Sequence, residues 1–356
     1  MSTATVTVDA VGTSESIVDI VRRIDDTDTE AATLLDFSHL AGGHNKVSPQ
    51  WGAVLANLLA CRYRDRMFSV DLPENAAANR QMARAGLYFS LSRHPGLDWK
   101  SLDDASDALL RRWLQNWEPA IPHQALFDVP HFDDRPGPTT LDEKLVAFLN
   151  ADSYPRHEAE SNQAAVLHPW LRRLIPRHGS DQRDEAMLVE VSRIVSELLQ
   201  NVRHHAQLPA DGLCSVSAFT TRGSGIAGDR LYLSVFDTGV GMPATLEERS
   251  FSPDVPPALR VEAAFNGEMP SRARDRGRGL HRITCLVNDF GGSVFAATGS
   301  GTDETYIVDH AGSNDDYSVQ AREQAGVNMT GTVVVVALPL RRRAPLSSVL
   351  DAEVKR

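Results

Sequence analysis

Hydrophobic positions in this chain follow two periods, and the switch between them lays out its elements. Ala32 to Phe37 (ATLLDF) is a short apolar run suited to a buried strand. After a glycine-bearing loop, Ser48 and Pro49 have the residue types of a helix N-cap and first helical position, and Trp51, Val54, Leu55, Leu58 and Leu59 recur at helical spacing. The following MFSVDLPEN reads as a strand ending in a turn, which completes a strand, helix, strand unit. Further on, Leu188, Val191, Ile194, Val195, Leu198 and Val202 form one helical stripe. Leu231, Leu233 and Val235 alternate along a strand that stops at Asp237. Leu280, Ile283, Leu286 and Val287 begin a third stripe beside two glycines, and GTVVVVALPL, opening at Gly331 and Thr332, is an apolar strand.

Turn chemistry marks the breaks. The cluster DVPHFDDRPGPTT, from Asp128 to Thr140, is dense in Pro, Gly and Asp. It separates an expected N-terminal α/β domain over 1–127 from a connector over 128–183, which holds a helical stretch (LDEKLVAFLN) and a polar segment from Ser153 to Asn162. A C-terminal domain is expected over 184–340 and a tail over 341–356. There is no internal repeat and no low-complexity tract, so a solenoid or propeller is not expected.

Length and charge narrow the classes. A chain of 356 residues with 42% hydrophobic content can bury substantial cores. The net charge of −11 is spread along the chain and offers no field for nucleic acid or an anionic membrane. Cys61, Cys214 and Cys285 are far apart and odd in number, which fits reduced thiols rather than a disulfide framework. The start, MSTATVTVDA, lacks the pattern of a signal peptide, and no apolar run reaches membrane-spanning length. The expected location is the cytoplasm.

Four pieces in the C-terminal half carry candidate chemistry. Glu197 and Asn201 lie i,i+4 on the polar edge of the first of its stripes, spaced so that an amide can ligate a hard cation while a carboxylate orients or deprotonates an attacking group. Asp237 ends its strand and runs into a loop with Gly239 and Gly241, where a buried carboxylate can accept an exocyclic amino hydrogen of adenine. Gly277 and Gly279 stand before a helix, where backbone N–H groups can face phosphate. Leading into the second glycine pair and through it, Arg272, Arg274, Arg276 and Arg278 form a basic run. His205 falls inside the first stripe and is expected in the core. His204 falls close to Glu197 and is either a phosphate neighbour or a surface residue.

In this order the pieces resemble the GHKL superfamily of DNA gyrase, heat-shock chaperone, histidine-kinase and MutL ATPases. ELLQNVRHHA resembles the superfamily's N-box, which implies Asn201 as magnesium ligand and Glu197 as general base. FDTGVGM resembles its first glycine box, with Asp237 at adenine, and RDRGRGLH its second, with Arg276, Gly277, Arg278, Gly279 and Leu280 at the phosphates. The stretch Pro243 to Arg276 has the length and polarity of an ATP lid, and Thr332 is implied as a second contact around adenine. His281 and Arg282 depart from the histidine-kinase form of the second box, where a further Gly-Leu stands. The implied fold is a Bergerat-type α/β sandwich, a mixed sheet with helices on one face, and the implied cofactors are ATP and magnesium.

The N-terminal order of LLDFSHL, VSPQWGAVLANLLA, FSVDLPEN and a helix ending in RAGLYFSL resembles the STAS-like domains of bacterial anti-sigma-factor antagonists. Pro49 occupies the usual phosphoacceptor position, which points to a scaffold or docking role. Only a short tail follows Leu340, and no phosphoacceptor histidine box precedes the ATP domain, so neither a gyrase-like machine nor a histidine kinase is expected. Two functions remain: an ATPase or protein serine kinase of anti-sigma type, and an ATP-gated interaction switch with negligible catalysis. The expected partner is a protein, with homodimerisation left open. The acidic and polar insertion over 301–326 receives no functional account.

Overall fold

The computed structural model describes residues 3–28, 31–40, 47–73, 75–85, 87, 91, 94–97, 124–129, 171–172, 181–207, 214–221, 230–249, 251–268, 279–301, 304–312 and 318–340, some of them by backbone alone. The expected connector helix (LDEKLVAFLN), the polar segment 153–162 and the tail 341–356 lie outside the described residues.

Among the described residues, six elements alternate in the N-terminal unit: β1 (Thr3–Thr7), α1 (Ser14–Asp25), β2 (Ala32–Asp36), α2 (Pro49–Ala60), β3 (Phe68–Asp71) and α3 (Ala76–Arg84). Its strands are parallel in the order β1-β2-β3. The expected strand, helix, strand unit is β2, α2 and β3. β1 and α1 precede it, and they went unread although their signals are local. Thr13 and Ser16 form a reciprocal capping box, and Ile17, Ile20, Val21 and Ile24 bury one face of α1. α2 begins as its sequence implies, with Ser48 Oγ accepting from the Trp51 N–H at 3.1 Å and Pro49 in the first turn.

The second sheet has seven strands in the order β4-β5-β6-β10-β7-β8-β9. Those strands are β4 (Gln124–Val129), β5 (Cys214–Thr221), β6 (Arg230–Asp237), β7 (Ser293–Ser300), β8 (Glu304–Ala311), β9 (Ala321–Ala325) and β10 (Thr330–Pro339). Every described pairing is antiparallel, a narrower arrangement than the mixed sheet expected. β4 joins the sheet from a segment that straddles the expected boundary at 127/128. The insertion over 301–326 supplies β8 and β9, which extend the sheet to a short, mostly exposed and charged edge. Among the described residues, four helices accompany the sheet: α4 (Asp181–His205), α5 (Gly241–Arg249), α6 (Pro257–Asn266) and α7 (Gly279–Phe290). No described helix is long and apolar enough to cross a membrane.

Both faces of this sheet are buried, which explains the unbroken apolar run of β10. A strand covered on one side alternates, whereas one covered on both sides has no polar register to keep. Val334, Val336 and Leu338 share a core with α4, α6 and α7, while Val333 and Val335 point the other way into the core of the N-terminal unit. α2 lies between the two sheets and is buried around its whole circumference from Trp51 to Leu59, rather than along the single stripe expected. Trp51 meets Phe295 of β7 edge to face, with ring centroids 5.2 Å apart.

Candidate functional site

Period-two geometry places the first site residue. Leu231, Leu233 and Val235 of β6 face α4 and α7, so Asp237, next in that register, faces the same helices from the strand end. Pairing aligns it with Thr332 on β10, and Thr332 with Thr298 on β7. A polar row thus closes the end of an otherwise apolar sheet face. The Thr298 and Thr332 hydroxyls are 3.1 Å apart, and Thr298 Oγ1 accepts from the Met242 N–H at 2.9 Å. Thr298 is fully buried and was missed in the sequence, because only cross-strand register brings it beside Asp237.

Asp237 is 5% exposed. Burial pushes its carboxyl up to about 7, opposed by hydrogen bonds from the Gly239 and Thr332 backbone N–H groups. The Gly239 bond to Oδ1 measures 2.9 Å. From the opposite face, Asn57 Nδ2 donates to the Asp237 main-chain oxygen at 2.8 Å, and Asn57 is itself fully buried in α2.

The glycines do two different jobs. A Cβ on Gly239 would lie 2.0 Å from the Ala206 carbonyl oxygen, and one on Gly241 would lie 2.2 Å from the Gly299 oxygen. These two therefore permit close packing of the chain on itself, besides the backbone approach to a ligand expected of them. The first loop is thereby seated on the end of α4, with the Val240 N–H donating to Ala206 O at 2.8 Å. Gly279 packs against the candidate chemistry itself: a Cβ there would lie 2.8 Å from Glu197 Oε2 and 3.5 Å from Asn201 Oδ1. Both glycine loops thus meet α4, one at Glu197 and Asn201, the other just past its C-terminal end.

Glu197 and Asn201 lie together on α4, as their spacing implies. Asn201 Nδ2 is buried and has no hydrogen-bond partner, a costly condition unless something else satisfies it. Glu197 Oε1 accepts from Arg282 Nη1 at 2.9 Å, across from α7. Leu280 is partly buried against the helix-side core, so its side chain packs. His205, expected in the core, is only half-buried, at the last position of α4. The side chain of His204, the backbone and side chains of Arg276, Gly277 and Arg278, and the basic run from Arg272 lie outside the described residues.

Much of the expected lid is packed structure. Over 243–249 and 251–268 it forms most of α5 and all of α6, with Val261 and Phe265 fully buried. Arg260 is 2% exposed, and its guanidinium binds the Val255 and Pro253 carbonyl oxygens and the Glu247 carboxylate. A buried cation with each arm engaged fixes the α5–α6 turn, which polarity alone does not reveal. Among the described residues no group of three or more His, Cys, Asp or Glu gathers to hold a metal by itself.

Residues 188–342 match the family model of the histidine kinase-, DNA gyrase B-, and HSP90-like ATPases. That segment is similar to the ATPase domains of this family, and the antiparallel sheet with its helices is consistent with their Bergerat fold. No curated protein matches the chain.

Proposed function

We propose that the C-terminal domain binds ATP with magnesium on the helix face of its sheet and that Glu197 activates an attacking hydroxyl. The supporting observation is the convergence of Glu197, Asn201 and Gly279 on one side of α4, with Asp237 on the face those elements cover. The buried, unpartnered Nδ2 of Asn201 is a donor that a phosphate oxygen can meet, and its Oδ1, beside Glu197 at the start of α7, is the atom that can face magnesium. Asn201 would hold the magnesium, which neutralises charge on the phosphate oxygens when bound. Asp237, with Thr332, receives the adenine amino group.

In this reading Glu197 accepts the proton of water, or of a partner's serine hydroxyl. The oxygen so activated bonds to the γ-phosphorus while the bond to the β-bridging oxygen breaks, its electron pair leaving with ADP. The partner is a protein, and the N-terminal unit is a STAS-like scaffold for it. Ser48 there is engaged in capping α2, in keeping with a structural role.

A second reading, an ATP-gated interaction switch with little turnover, is favoured by the ion pair between Arg282 and Glu197, because it engages the general base. The full-length protein given magnesium and γ-labelled ATP distinguishes the two. Label released as phosphate or moved to protein supports catalysis, and Glu197→Gln should lower that rate by ~10²–10⁴-fold while ATP still binds. Label that stays on bound nucleotide supports the switch. Failure to bind ATP would overturn both.

A further inference from the structure

We infer that Arg282 is a positioning residue that restrains Glu197, an inference that rests on the general-base reading of Glu197 given above. Two contacts define the restraint. Arg282 Nη1 donates to Glu197 Oε1 at 2.9 Å, and Glu197 Oε2 lies against the Cα of Gly279, where a Cβ would stand 2.8 Å away. One carboxylate oxygen is therefore held by a guanidinium and the other is packed against backbone at the start of α7.

A general base needs an oxygen free to accept from the attacking hydroxyl. With Arg282 on Oε1, that hydroxyl must compete with a charged donor for the same lone pairs. The residue that imposes this competition is local to the site: Arg282 lies one helical turn beyond Gly279, on the helix that faces α4. It is also where this chain departs from the histidine-kinase form of its glycine box, which brings no cation to this position. Catalysis then requires Arg282 to let go of Glu197.

The size of the restraint follows from exposure. The Arg282 side chain is 55% exposed and that of Glu197 21%, so the pair is screened on one side and is worth little. Removing it should raise turnover modestly, by roughly fivefold, rather than by orders of magnitude.

The test compares wild type, Arg282→Met, Arg282→Lys and Glu197→Gln in the full chain, reading kcat, KM and the dissociation constant for ATP. Expected are a kcat of Arg282→Met raised roughly fivefold, with KM and ATP affinity within about twofold of wild type, and a kcat for Arg282→Lys near wild type because a cation remains. Urea melts of the nucleotide-free proteins, including the double variant, should show the two positions coupled. A fall in kcat with a rise in KM for Arg282→Met would overturn the inference, since Arg282 would then serve the nucleotide directly. So would ATP binding with unaltered turnover, or no turnover in either protein, which leaves the ATP site standing. If wild type does not bind ATP, the functional reading itself is wrong and the inference goes with it. Exposed Arg282 leaves folding intact, and Arg282→Gln provides a second neutral variant.

Discussion

The two faces of the seven-stranded sheet make opposite uses of the same strands. On the face towards the N-terminal unit, Phe236, Phe295, Val333 and Val335 join the core of α1, α2 and their sheet, and the Asn57 side chain reaches across to the end of β6. On the face towards α4 and α7, the apolar field ends in the row Asp237, Thr332 and Thr298, and the helices above it bring Glu197, Asn201 and Arg282. One face maximises apolar burial. The other keeps an unpaired amide and a buried carboxyl, conditions that cost stability and persist where a ligand can meet them.

Breaking the apolar face should have the largest effect. Phe295→Ala removes the ring under Trp51 and is expected to cost ~3–5 kcal/mol in urea melts. Because the N-terminal unit shares this core, far-UV and near-UV signals should lose stability together; separate transitions would show the two units to be independent.

Next comes Asp237, at most on the order of 4 kcal/mol for a carboxyl moved from 3.8 to about 7. Its folded form holds the proton over a range in which the unfolded chain has already released it. Wild-type stability should therefore fall, relative to Asp237→Asn, as pH rises from about 4 to about 7, and level off above that. Parallel pH profiles for the two proteins would contradict the burial of this group.

A smaller change links the faces. Asn57→Ala takes the donor from the Asp237 carbonyl and should cost ~1–3 kcal/mol, partly offset because the buried, unpartnered Oδ1 of Asn57 goes too. ATP affinity, measured by titration, should weaken several-fold as the strand end loosens. Stability loss with unchanged affinity would separate the faces. The least effect on stability belongs to Asn201→Ala, within ~1 kcal/mol, since it removes an unpaired buried donor. Its magnesium-dependent ATP binding should nevertheless be lost, and a large destabilisation would instead make Asn201 a structural residue.

Legibility in the sequence divided along the same line. α2, β6, α7 and β10 were readable from period and caps, and Glu197 and Asn201 from i,i+4 spacing, because those signals are local. Thr298 was not, since a lone threonine in a strand of small residues acquires meaning only beside Thr332. Pro243 to Arg276 reads as polar lid because Arg260 looks solvated until Val255, Pro253 and Glu247 surround it. The packing role of Gly239 and Gly241 was not legible either, because the Ala206 and Gly299 carbonyls against them come from distant segments.

By itself, then, the sequence determined the elements with strong local signals (β2, α2, β3, α4, β6, α7 and β10), which carboxylate and amide share a helix edge, and which strand ends in an acid. Those properties depend on residues within a turn or two of one another. Tertiary structure alone decided that the sheet is buried on both faces, that Asn57 touches the far side of the candidate adenine site, and that Arg282 holds Glu197. Each of these is a contact between distant segments, governed by strand register and helix packing, and neither leaves a periodic trace in the chain.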